Sequence, residues 1–508
     1  YITTPIYYPS AKPHMGHAYS SIIADVLARF MRNDNRKVFF LTGTDEHGLK
    51  IQNAAEKKGQ SPLVYCDEIS KVFKELATKL NLSNDDFIRT TEKRHHDAVN
   101  DIWNRLIKSG DIYLSKYKGW YSVSDEAFYN EDEIVEKNGK KVSTFSGSLV
   151  EWVEEDSYFF KLSAWENKLL EFYSKNHNFI VPITRRNEVI NFVKSGLKDL
   201  SVSRTSFSWG IKVPNDNNHV IYVWLDALTN YLSALNFPNV ENALFKSFWP
   251  ASLHVIGKDI LRFHTIYWPA FLMAANIEPP LKVFSHGWIL SGEEKMSKSK
   301  GNILNPIEII DNYGVDQMRY YLMKEVSHGS DGNISLKSLE NCINSDLANN
   351  YGNLCQRVFS FIKSNCSGKV RRTKQLSVED NKLIEETKDI TKGLKNKIEN
   401  QDINDYIKSV ISISFLTNKY INDEQPWKLK SSDKEKMNNI LHVCLEQIAK
   451  ISILLNPIIP EGTTKVLKAL NIKSEFRNLS FLDGKNIFSN EITISTLDIL
   501  YKKITNDN

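Results

Sequence analysis

Residues 1–45 read YITTPIYYPSAKPHMGHAYSSIIADVLARFMRNDNRKVFFLTGTD. Residues 1–6 are apolar and β-prone, and three prolines then break the chain into a loop. From Tyr19 to Phe30 apolar residues recur at spacings of three and four, which predicts an amphipathic helix. Residues 38–41 predict a buried strand, and Thr42 to Asp45 predict the loop that leaves its end. A strand, a helix and a second strand within about 50 residues are how a parallel α/β sheet begins.

The rest of the chain continues this pattern with one interruption. Between residues 116 and 214 short strands surround a polar hairpin at 137–141, so we expect an insertion into the sheet. Apolar strands then return at 220–224, 253–256 and 283–285. From about residue 335 the pattern becomes helical, with apolar stripes at 383–398, 406–416 and 440–455. Helical stripes without intervening strands predict a bundle.

Composition excludes several classes of protein. The 508 residues carry 65 Lys plus Arg against 61 Asp plus Glu, a formal charge of +4, and 41% are hydrophobic, which is typical of a globular chain. This balance alone does not predict a nucleic-acid partner. The sequence shows neither an apolar run of ~18 residues for a bilayer nor a signal-peptide pattern. Five scattered cysteines do not suggest a disulfide framework. We therefore expect a cytoplasmic, multidomain protein without membrane association.

The first candidate functional motif is His14-Met15-Gly16-His17, between the first strand and the first helix. Backbone N–H groups and the positive dipole at a helix N-terminus favour an anion. Two imidazoles spaced three residues apart can add donors, and Gly16 lets a nucleotide approach the backbone closely. Two ordinary surface histidines are the alternative reading of this motif.

The second motif is Lys295-Met296-Ser297-Lys298-Ser299, with Gly292 and Gly301 on either side. A lysine-bearing loop with glycine hinges can close over a triphosphate and stabilise charge on departing pyrophosphate. A solvated basic loop is the alternative. Neither motif fits a Walker phosphate-binding loop.

Together and in this order, the two motifs resemble the H-I-G-H and K-M-S-K-S signatures of class I aminoacyl-tRNA synthetases. Further stretches are similar to the methionyl-tRNA synthetase family in particular: TPIYY at 4–8, GTDEHG at 43–48, YVWLDA at 222–227 and IGKDI at 256–260. The resemblance runs along essentially the whole chain and looks most like a zinc-less bacterial-type variant. It implies an α/β fold, with a Rossmann-like parallel-sheet catalytic domain split by an inserted connective domain and followed by an α-helical anticodon-binding bundle. The implied domains are the first catalytic half (1–115), the connective domain (116–214), the second catalytic half with the mobile lysine loop (215–334) and the anticodon-binding domain (335–508).

The resemblance implies ATP-dependent activation of L-methionine to methionyl-adenylate with release of pyrophosphate, then transfer to tRNA(Met). Such a reaction needs positioning and charge stabilisation rather than a covalent nucleophile. ATP and Mg²⁺ are the implied cofactors. His14, Gly16 and His17 would hold phosphates, Lys295 and Lys298 the departing pyrophosphate, and Gly257 and Asp259 the adenosine.

Methionine needs an apolar, polarizable slot for its thioether. Asp45 follows a predicted strand, where ligands lie in open α/β sheets, and would pair with the substrate's ammonium. A polar turn or a metal cluster is the alternative there. The resemblance assigns the apolar slot to Ile6, Tyr8, Trp224, Ala227, Leu228, Tyr231, Phe263 and His264; without it, each would be interpreted as ordinary core.

The helical domain resembles an anticodon-binding bundle. Asn353 and Arg357 are one helical turn apart, so both project from one face. Arg357 can present a planar fork to a base edge, and Trp427 can offer a stacking surface to an unstacked base. The assignment of RNA binding depends on the position of these motifs rather than on charge.

One departure from the family concerns metal. Many members carry cysteine pairs with C-x-x-C spacing in the inserted segment, where they bind a structural zinc. Here residues 116–214 contain no cysteine, and the sequence reads Tyr121-Ser122-Val123-Ser124-Asp125 where such a pair is expected. We predict no zinc and no other metal site. Because no appended domain follows the bundle, we expect a monomer.

Three alternatives remain open at this point. One is a class I synthetase for another small apolar amino acid, although the chain has no room for the large editing insertions of the branched-aliphatic enzymes. A second is a nucleotidyltransferase that makes a small-molecule adenylate, which the helical domain disfavours. A third is an inactive tRNA-binding protein, which would have little reason to keep both histidines and both lysines.

Overall fold

A computed structural model describes residues 1–9, 12–125, 127–129, 131–291, 294–295, 304–327, 329–373, 375–482, 488 and 490–505, and only the backbone of 127, 128, 291, 294 and 295. The helices are α1 (Met15–Asn33), α2 (Leu49–Lys57), α3 (Pro62–Lys79), α4 (Lys93–Lys108), α5 (Glu166–Lys175), α6 (Ile183–Lys194), α7 (Val223–Leu228), α8 (Asn230–Ser233), α9 (Ala243–Phe248), α10 (Trp268–Ala274), α11 (Pro306–Tyr313), α12 (Val315–Glu325), α13 (Leu336–Cys342), α14 (Asn353–Asn365), α15 (Val378–Thr391), α16 (Leu394–Glu399), α17 (Ile403–Glu424), α18 (Lys434–Leu455) and α19 (Pro460–Ala469). The strands are β1 (Ile2–Tyr7), β2 (Phe40–Thr44), β3 (Asp86–Arg89), β4 (Ile112–Ser122), β5 (Ala127–Tyr129), β6 (Ile134–Lys137), β7 (Lys140–Ser143), β8 (Glu151–Phe160), β9 (Ile180–Val181), β10 (Leu200–Ser201), β11 (Ser203–Arg204), β12 (Lys212–Val213), β13 (Asp216–Ile221), β14 (Leu253–Gly257), β15 (Val283–His286), β16 (Ile289–Ser291), β17 (Glu294–Lys295), β18 (Gly332–Ile334), β19 (Lys369–Arg371) and β20 (Glu491–Thr493).

The chain forms two compact units. Unit 1 comprises residues 1–13, 39–78 and 84–286, and unit 2 comprises 14–38, 79–83 and 287–508. Among the described residues, no helix is both long and apolar enough to cross a membrane.

Unit 1 is organised around a six-stranded sheet with the order β3-β2-β1-β14-β15-β9. Every pair of neighbours in this sheet runs parallel, which confirms the predicted α/β class. A buried cluster of apolar side chains from this sheet, α4, α7, α8 and α10 forms the core of the unit. β9 lies within the range predicted as the insertion, yet it pairs with β15 at the edge of this sheet.

Two local predictions in unit 1 are wrong. Thr42 to Thr44 is strand rather than loop, because both neighbouring strands pair with it: Tyr7 of β1 and Arg89 of β3 lie opposite Thr44. Trp224 does not end a strand, because β13 stops at Ile221 and α7 begins at Val223. A short apolar run fits a buried strand and a buried helix equally well, so periodicity could not separate them.

The segment expected to be an insertion, residues 116–214, contains short antiparallel strands. β10-β8-β4-β5 form a four-stranded sheet in which β4 and β8 pair over ten residues from Ile112 to Tyr121. β6 and β7 form the hairpin predicted around 137–141, with Asn138 and Gly139 at positive φ in its turn. β11-β13-β12 form a separate three-stranded sheet.

Unit 2 contains the helical bundle together with α1. The stripe predicted at 383–398 is two helices rather than one, because α15 ends at Thr391 and Gly393 precedes α16. Glycine weakens a helix through its backbone entropy, which explains the break. The other two stripes lie in the long helices α17 and α18.

A buried ion pair anchors α1 within unit 2. Arg319 of α12 donates from Nη2 to Asp25 Oδ2 at 2.6 Å, and both side chains are buried. Asp25 Oδ1 accepts from the backbone N–H of Ser83 at 2.6 Å, while Arg319 Nε donates to the carbonyl of Ile458. Burial alone would raise the pKa of Asp25, but Arg319 and Arg29 outweigh it and hold the pKa below its ordinary value. The helix that starts after His14 is therefore fixed to its own unit.

Candidate active site

The two histidines of the first motif cap α1. His14 is the N-cap residue, and its Nδ1 accepts from the N–H of Gly16 at 3.1 Å. His17 Nδ1 accepts in turn from the N–H of His14 at 3.0 Å, and the ring centroids lie 3.9 Å apart. Because both Nδ1 atoms accept, a neutral ring carries its proton on Nε2, where it is a donor. A Cβ at Gly16 would lie 2.9 Å from His14 Cε1, so a side chain here would displace the His14 ring from its capping position.

The lysine motif is described only in part. Lys295 lies in β17, which pairs with β16, and β16 lies beside α1 within unit 2. The strand that leads into the lysine motif therefore belongs with the helix that carries His14 and His17. Lys298 lies outside the described residues, and so does the side chain of Lys295. The predicted juxtaposition of imidazoles and ammonium groups stays a prediction.

Three residues of unit 1 predicted to bind substrate lie at the carboxyl ends of parallel strands. Asp45 follows β2, is buried, and its N–H donates to the carbonyl of Tyr7 at 2.9 Å. Gly257 is the last residue of β14, and Asp259 follows at an exposed position. A Cβ at Gly257 would lie 2.6 Å from Asp259 Oδ1, so glycine allows the carboxylate to fold back over this strand end. Ligands bind at this edge in open α/β sheets.

An aromatic cluster in unit 1 joins most of the residues assigned to the methionine slot. The rings of Trp224 and Phe263 stack 3.7 Å apart at an angle of 6°. His264 meets Trp224 edge-on at 6.3 Å. Phe263 and His264 lie in a π-helical turn, Phe263–Tyr267, which places consecutive residues against the same aromatic wall. Ala227 and Leu228 are buried on α7, and Ile6 and Tyr8 pack on the same apolar cluster.

Hydrogen bonds determine the proton positions at the polar end of this cluster. His264 Nδ1 lies 3.0 Å from the carbonyl of Ile260, which can only accept, so Nδ1 carries the proton. Burial lowers the pKa of His264 to about 4, which keeps the ring neutral near pH 7. Its Nε2 therefore accepts from the hydroxyl of Tyr231 at 2.8 Å. Burial also raises the pKa of Tyr231, so the hydroxyl stays protonated.

His254 supports this pair, and sequence reasoning missed it. Its ring is buried and stacks under Tyr231 at 4.1 Å, while Nδ1 lies 2.8 Å from the hydroxyl of Thr3. Burial holds the pKa of His254 well below its ordinary value, and the nearby ring of His264 lowers it further. A single histidine within an apolar strand carries no signal that distinguishes it from core.

Asp226 is a second residue that sequence reasoning missed. It lies between Trp224 and Ala227 in α7 and is fully buried. Its two carboxylate oxygens lie 2.7 Å from His47 Nδ1 and 2.6 Å from His95 Nε2. Burial alone would raise the pKa of Asp226, but the two histidines outweigh it and hold the pKa well below its ordinary value. Asp226 therefore fixes the helix that carries the slot residues against the loop that carries Asp45. The stretch YVWLDA at 222–227 contained it, but its partners are distant in sequence.

Glu46 and His47 are structural neighbours of Asp45 rather than a metal cluster. Arg89 donates to both oxygens of Glu46, at 2.7 and 3.0 Å, and Thr91 donates at 2.6 Å. Among the described residues, no group of three or more His, Cys, Asp or Glu side chains could hold a metal ion.

The three residues predicted to read the anticodon belong to unit 2. Asn353 is exposed at the start of α14, one turn before Arg357. The Arg357 guanidinium lies 5.7 Å from the ring centre of Trp427, and its Nη2 donates to Asn422 Oδ1 at 2.8 Å. Trp427 is 38% exposed on the short turn Pro426–Lys428. Arg357 and Trp427 thus form one cation–aromatic surface with an accessible ring.

Comparison with protein families matches almost the whole chain. The family "tRNA synthetases class I (M)" matches residues 1–141 and 137–359. The family "Anticodon binding domain of methionyl tRNA ligase" matches residues 370–508.

Known relatives are similar over nearly their full lengths. A methionine–tRNA ligase of Rickettsia bellii (strain RML369-C) is 51% identical over 94% of each chain, and one of Rhizobium meliloti (strain 1021) is 49% identical over 95% of this chain and 93% of its own. The structure of Mycobacterium tuberculosis methionyl-tRNA synthetase in complex with methionyl-adenylate superposes with a TM-score of 0.96 at 42% identity, covering 99% of both chains.

Proposed function

This chain belongs to the methionyl-tRNA synthetase family of class I, and from that premise we propose how its residues divide the reaction. The protein activates L-methionine with ATP to methionyl-adenylate, releases pyrophosphate, and transfers the methionyl group to tRNA(Met). The full-length similarity carries this conclusion: the relatives that match 94% or more of the chain are methionine–tRNA ligases. A synthetase for another small apolar amino acid is therefore not favoured.

For ATP, we assign the phosphates to the N-terminus of α1. His14 and His17 present Nε2 donors there, at the positive end of the helix dipole. Gly257 and Asp259, at the end of β14, take the adenosine, the carboxylate accepting from ribose hydroxyls. Mg²⁺ enters with ATP as part of the substrate. Lys295 and Lys298 stabilise the charge on departing pyrophosphate.

For methionine, Asp45 binds the ammonium group and the aromatic cluster binds the side chain. The stacked Trp224 and Phe263 rings offer the polarizable faces that suit a thioether. Tyr231 and His264 close the slot in a defined, uncharged protonation state. Attack of the methionine carboxylate on the α-phosphate needs positioning and charge stabilisation rather than a covalent nucleophile.

For tRNA, the surface of Asn353, Arg357 and Trp427 reads the anticodon. The accessible Trp427 ring stacks on an unpaired base, while Arg357 presents its fork to a base edge. All proposed site residues come from one chain, so a monomer suffices. We place its action in the cytoplasm, where charged tRNA is used.

Pyrophosphate exchange into ATP, measured with each amino acid in turn, tests the activation step. Exchange that depends on methionine alone is the expected result. Exchange supported equally by leucine or isoleucine, or no exchange with any amino acid, would overturn the assignment.

The anticodon assignment is tested by replacing Trp427 with alanine. Loss of one stacked base costs ~1–3 kcal/mol, so kcat/KM for tRNA charging should fall roughly 5- to 150-fold while pyrophosphate exchange is unchanged. Phe415→Ala is the matched control, since Phe415 is also an exposed aromatic in the helical domain, at 52%. Equal losses in both variants, or loss of the exchange reaction itself, would mean that Trp427 does not contact RNA.

A further inference from the structure

Two short turns of the inserted segment share the spacing of a zinc site but not its chemistry. Ser122 and Asp125 are three residues apart, and so are Ser143 and Ser146. Structural zinc takes cysteine thiolates and histidine nitrogens at such positions. Three neutral hydroxyls and one carboxylate do not fit that ion. The side chains instead bond to one another.

Asp125 is the centre of these bonds. Its Oδ1 accepts from the hydroxyl of Ser148 at 2.8 Å. Its Oδ2 accepts from the hydroxyl of Tyr129 at 2.7 Å and also from the hydroxyl of Ser146. Its backbone N–H donates to Ser122 Oγ at 3.3 Å. One carboxylate therefore joins β5 to both turns.

Ser143 closes the second turn. Its Oγ accepts from the N–H groups of Phe145 and Ser146 at 3.2 and 3.3 Å. Its own N–H donates to the carbonyl of Ser148 at 2.9 Å. Burial is the main reason that the pKa of Tyr129 is raised to about 12. The hydrogen bond with Ser143 lowers this pKa, and the carboxylate of Asp125 raises it. The Tyr129 hydroxyl therefore stays protonated and keeps donating at neutral pH.

The closed turns contact the part of unit 1 that forms the methionine slot. The N–H of Thr144 donates to the carbonyl of Glu133 at 2.8 Å. The carboxylate of Glu133 accepts from Arg262 Nη1 at 2.9 Å, and Arg262 immediately precedes Phe263. The Arg262 guanidinium also lies 5.9 Å from the ring centre of Phe145.

The first turn makes a second contact with the slot. Lys50 Nζ lies 3.5 Å from the carbonyl of Ser124 and 5.1 Å from the ring centre of Tyr8, a predicted slot residue. Both ends of the hydroxyl cluster are thus linked to residues of the proposed methionine slot or to their neighbours in the chain.

We propose that Asp125 organises a metal-free clasp, formed with Ser122, Tyr129, Ser143, Ser146 and Ser148, that positions the inserted segment against the methionine slot through Glu133–Arg262 and Ser124–Lys50. Asp125 is a positioning residue, since it acts through these neighbours. The clasp performs with one carboxylate and its hydroxyl donors what a tetrahedral zinc performs with four thiolates.

Hydrogen exchange of the full chain tests the clasp directly. In Asp125→Ala, amides of residues 122–148 should exchange about tenfold faster or more, because the three hydroxyl donors that join the two turns and β5 lose their common acceptor and the segment opens more often. Asp125→Asn keeps one carbonyl oxygen and should give an intermediate rate. Asp132→Ala, which removes an exposed carboxylate of the same segment, is the matched control and should behave as wild type. Equal exchange in the Asp125→Ala and Asp132→Ala variants would refute the proposal.

The activity of the same variants tests positioning. Asp125→Ala should raise KM for methionine several-fold in pyrophosphate exchange and leave KM for ATP unchanged, with partial recovery in Asp125→Asn. A change in kcat alone, with KM for methionine unaltered, would refute positioning of the slot. The KM for methionine rests on the proposed function, whereas the hydrogen-exchange rates and the metal content do not. Failure of the clasp proposal can therefore be distinguished from failure of the proposed function.

Metal content supplies the last test. The purified chain should contain well under one zinc per molecule by elemental analysis, and a stoichiometric zinc would overturn the proposal. The variant S122C/D125C/S143C/S146C, with Tyr129→Phe to remove the central hydroxyl, should bind one zinc and recover slow exchange at 122–148. A folded variant that binds none would show that the four positions do not converge. If this variant does not fold, the hydrogen-exchange comparison of Asp125→Ala with Asp132→Ala still tests the proposal.

Discussion

Asp226 should contribute to both stability and methionine binding, because it joins α7 to two distant histidines. Ser233 donates its proton to the carbonyl of Thr229, so its oxygen accepts from His95 Nδ1 at 2.9 Å. His95 Nε2 faces the Asp226 carboxylate at 2.6 Å. The pKa of Asp226 is held well below its ordinary value, so its carboxylate is ionised at neutral pH and its contact with His95 is charge-assisted.

The loss in free energy of unfolding depends on how many buried donors each substitution leaves without an acceptor. Asp226→Ala leaves the donors of His47 and His95 buried without an acceptor, at ~1–3 kcal/mol each. The two unsatisfied donors together should therefore cost about 2–6 kcal/mol. Asp226→Asn keeps one acceptor oxygen and should cost about 1–3 kcal/mol. Because α7 carries Trp224, KM for methionine should rise by about tenfold in Asp226→Asn, equivalent to ~1.4 kcal/mol.

Urea unfolding followed by near-ultraviolet circular dichroism measures the first effect, and pyrophosphate exchange at varied methionine measures the second. The control is Asp156→Asn, an exposed aspartate on β8. The expected order of stability is wild type and Asp156→Asn, then Asp226→Asn, then Asp226→Ala. If Asp226→Ala unfolded at the urea concentration of the control, the bonds to His47 and His95 would contribute nothing and the reasoning would fail.

Two further predictions concern protonation and close packing. The pKa of His264 is about 4 in the folded protein against 6.5 ordinarily, so protonation favours the unfolded state and stability is lost as pH falls from 6.5 to 4, by about 3 kcal/mol. The difference in free energy of unfolding between wild type and His264→Gln should be flat above pH 6.5 and fall below it; a constant difference down to pH 4 would contradict the assigned state. Gly16→Ala places a Cβ 2.9 Å from His14 Cε1, displaces that ring and breaks a cap bond worth ~1 kcal/mol. KM for ATP should then rise about fivefold with KM for methionine unchanged, and an unaltered KM for ATP would argue against phosphate binding by His14.

Periodicity and motif order predicted the main architecture because those signals are local. The apolar spacing from Tyr19 to Phe30 predicted α1, and the structure gives Met15–Asn33. The strands at 253–256 and 283–285 were also predicted within one residue. Trp224 was assigned to a strand and lies in a helix, because a short apolar run has no period that distinguishes the two.

The partners of the site residues were not predictable, because they depend on contacts between distant segments. Asp226 meets His95 across 131 positions, and Thr3 meets His254 across 251. In the sequence each of these residues looks like an ordinary core or surface position. The same holds for Asp125, whose acceptor role appears only when two turns and a strand come together.

The amino-acid sequence by itself determined the α/β class, the family and the residue types available for binding nucleotide, methionine and RNA, since these follow from short-range patterns. Only the tertiary structure decided the protonation of His264, the shared carboxylate of Asp226 and the hydroxyl cluster of Asp125. Those properties depend on burial and on the direction of individual hydrogen bonds, which no one-dimensional pattern contains.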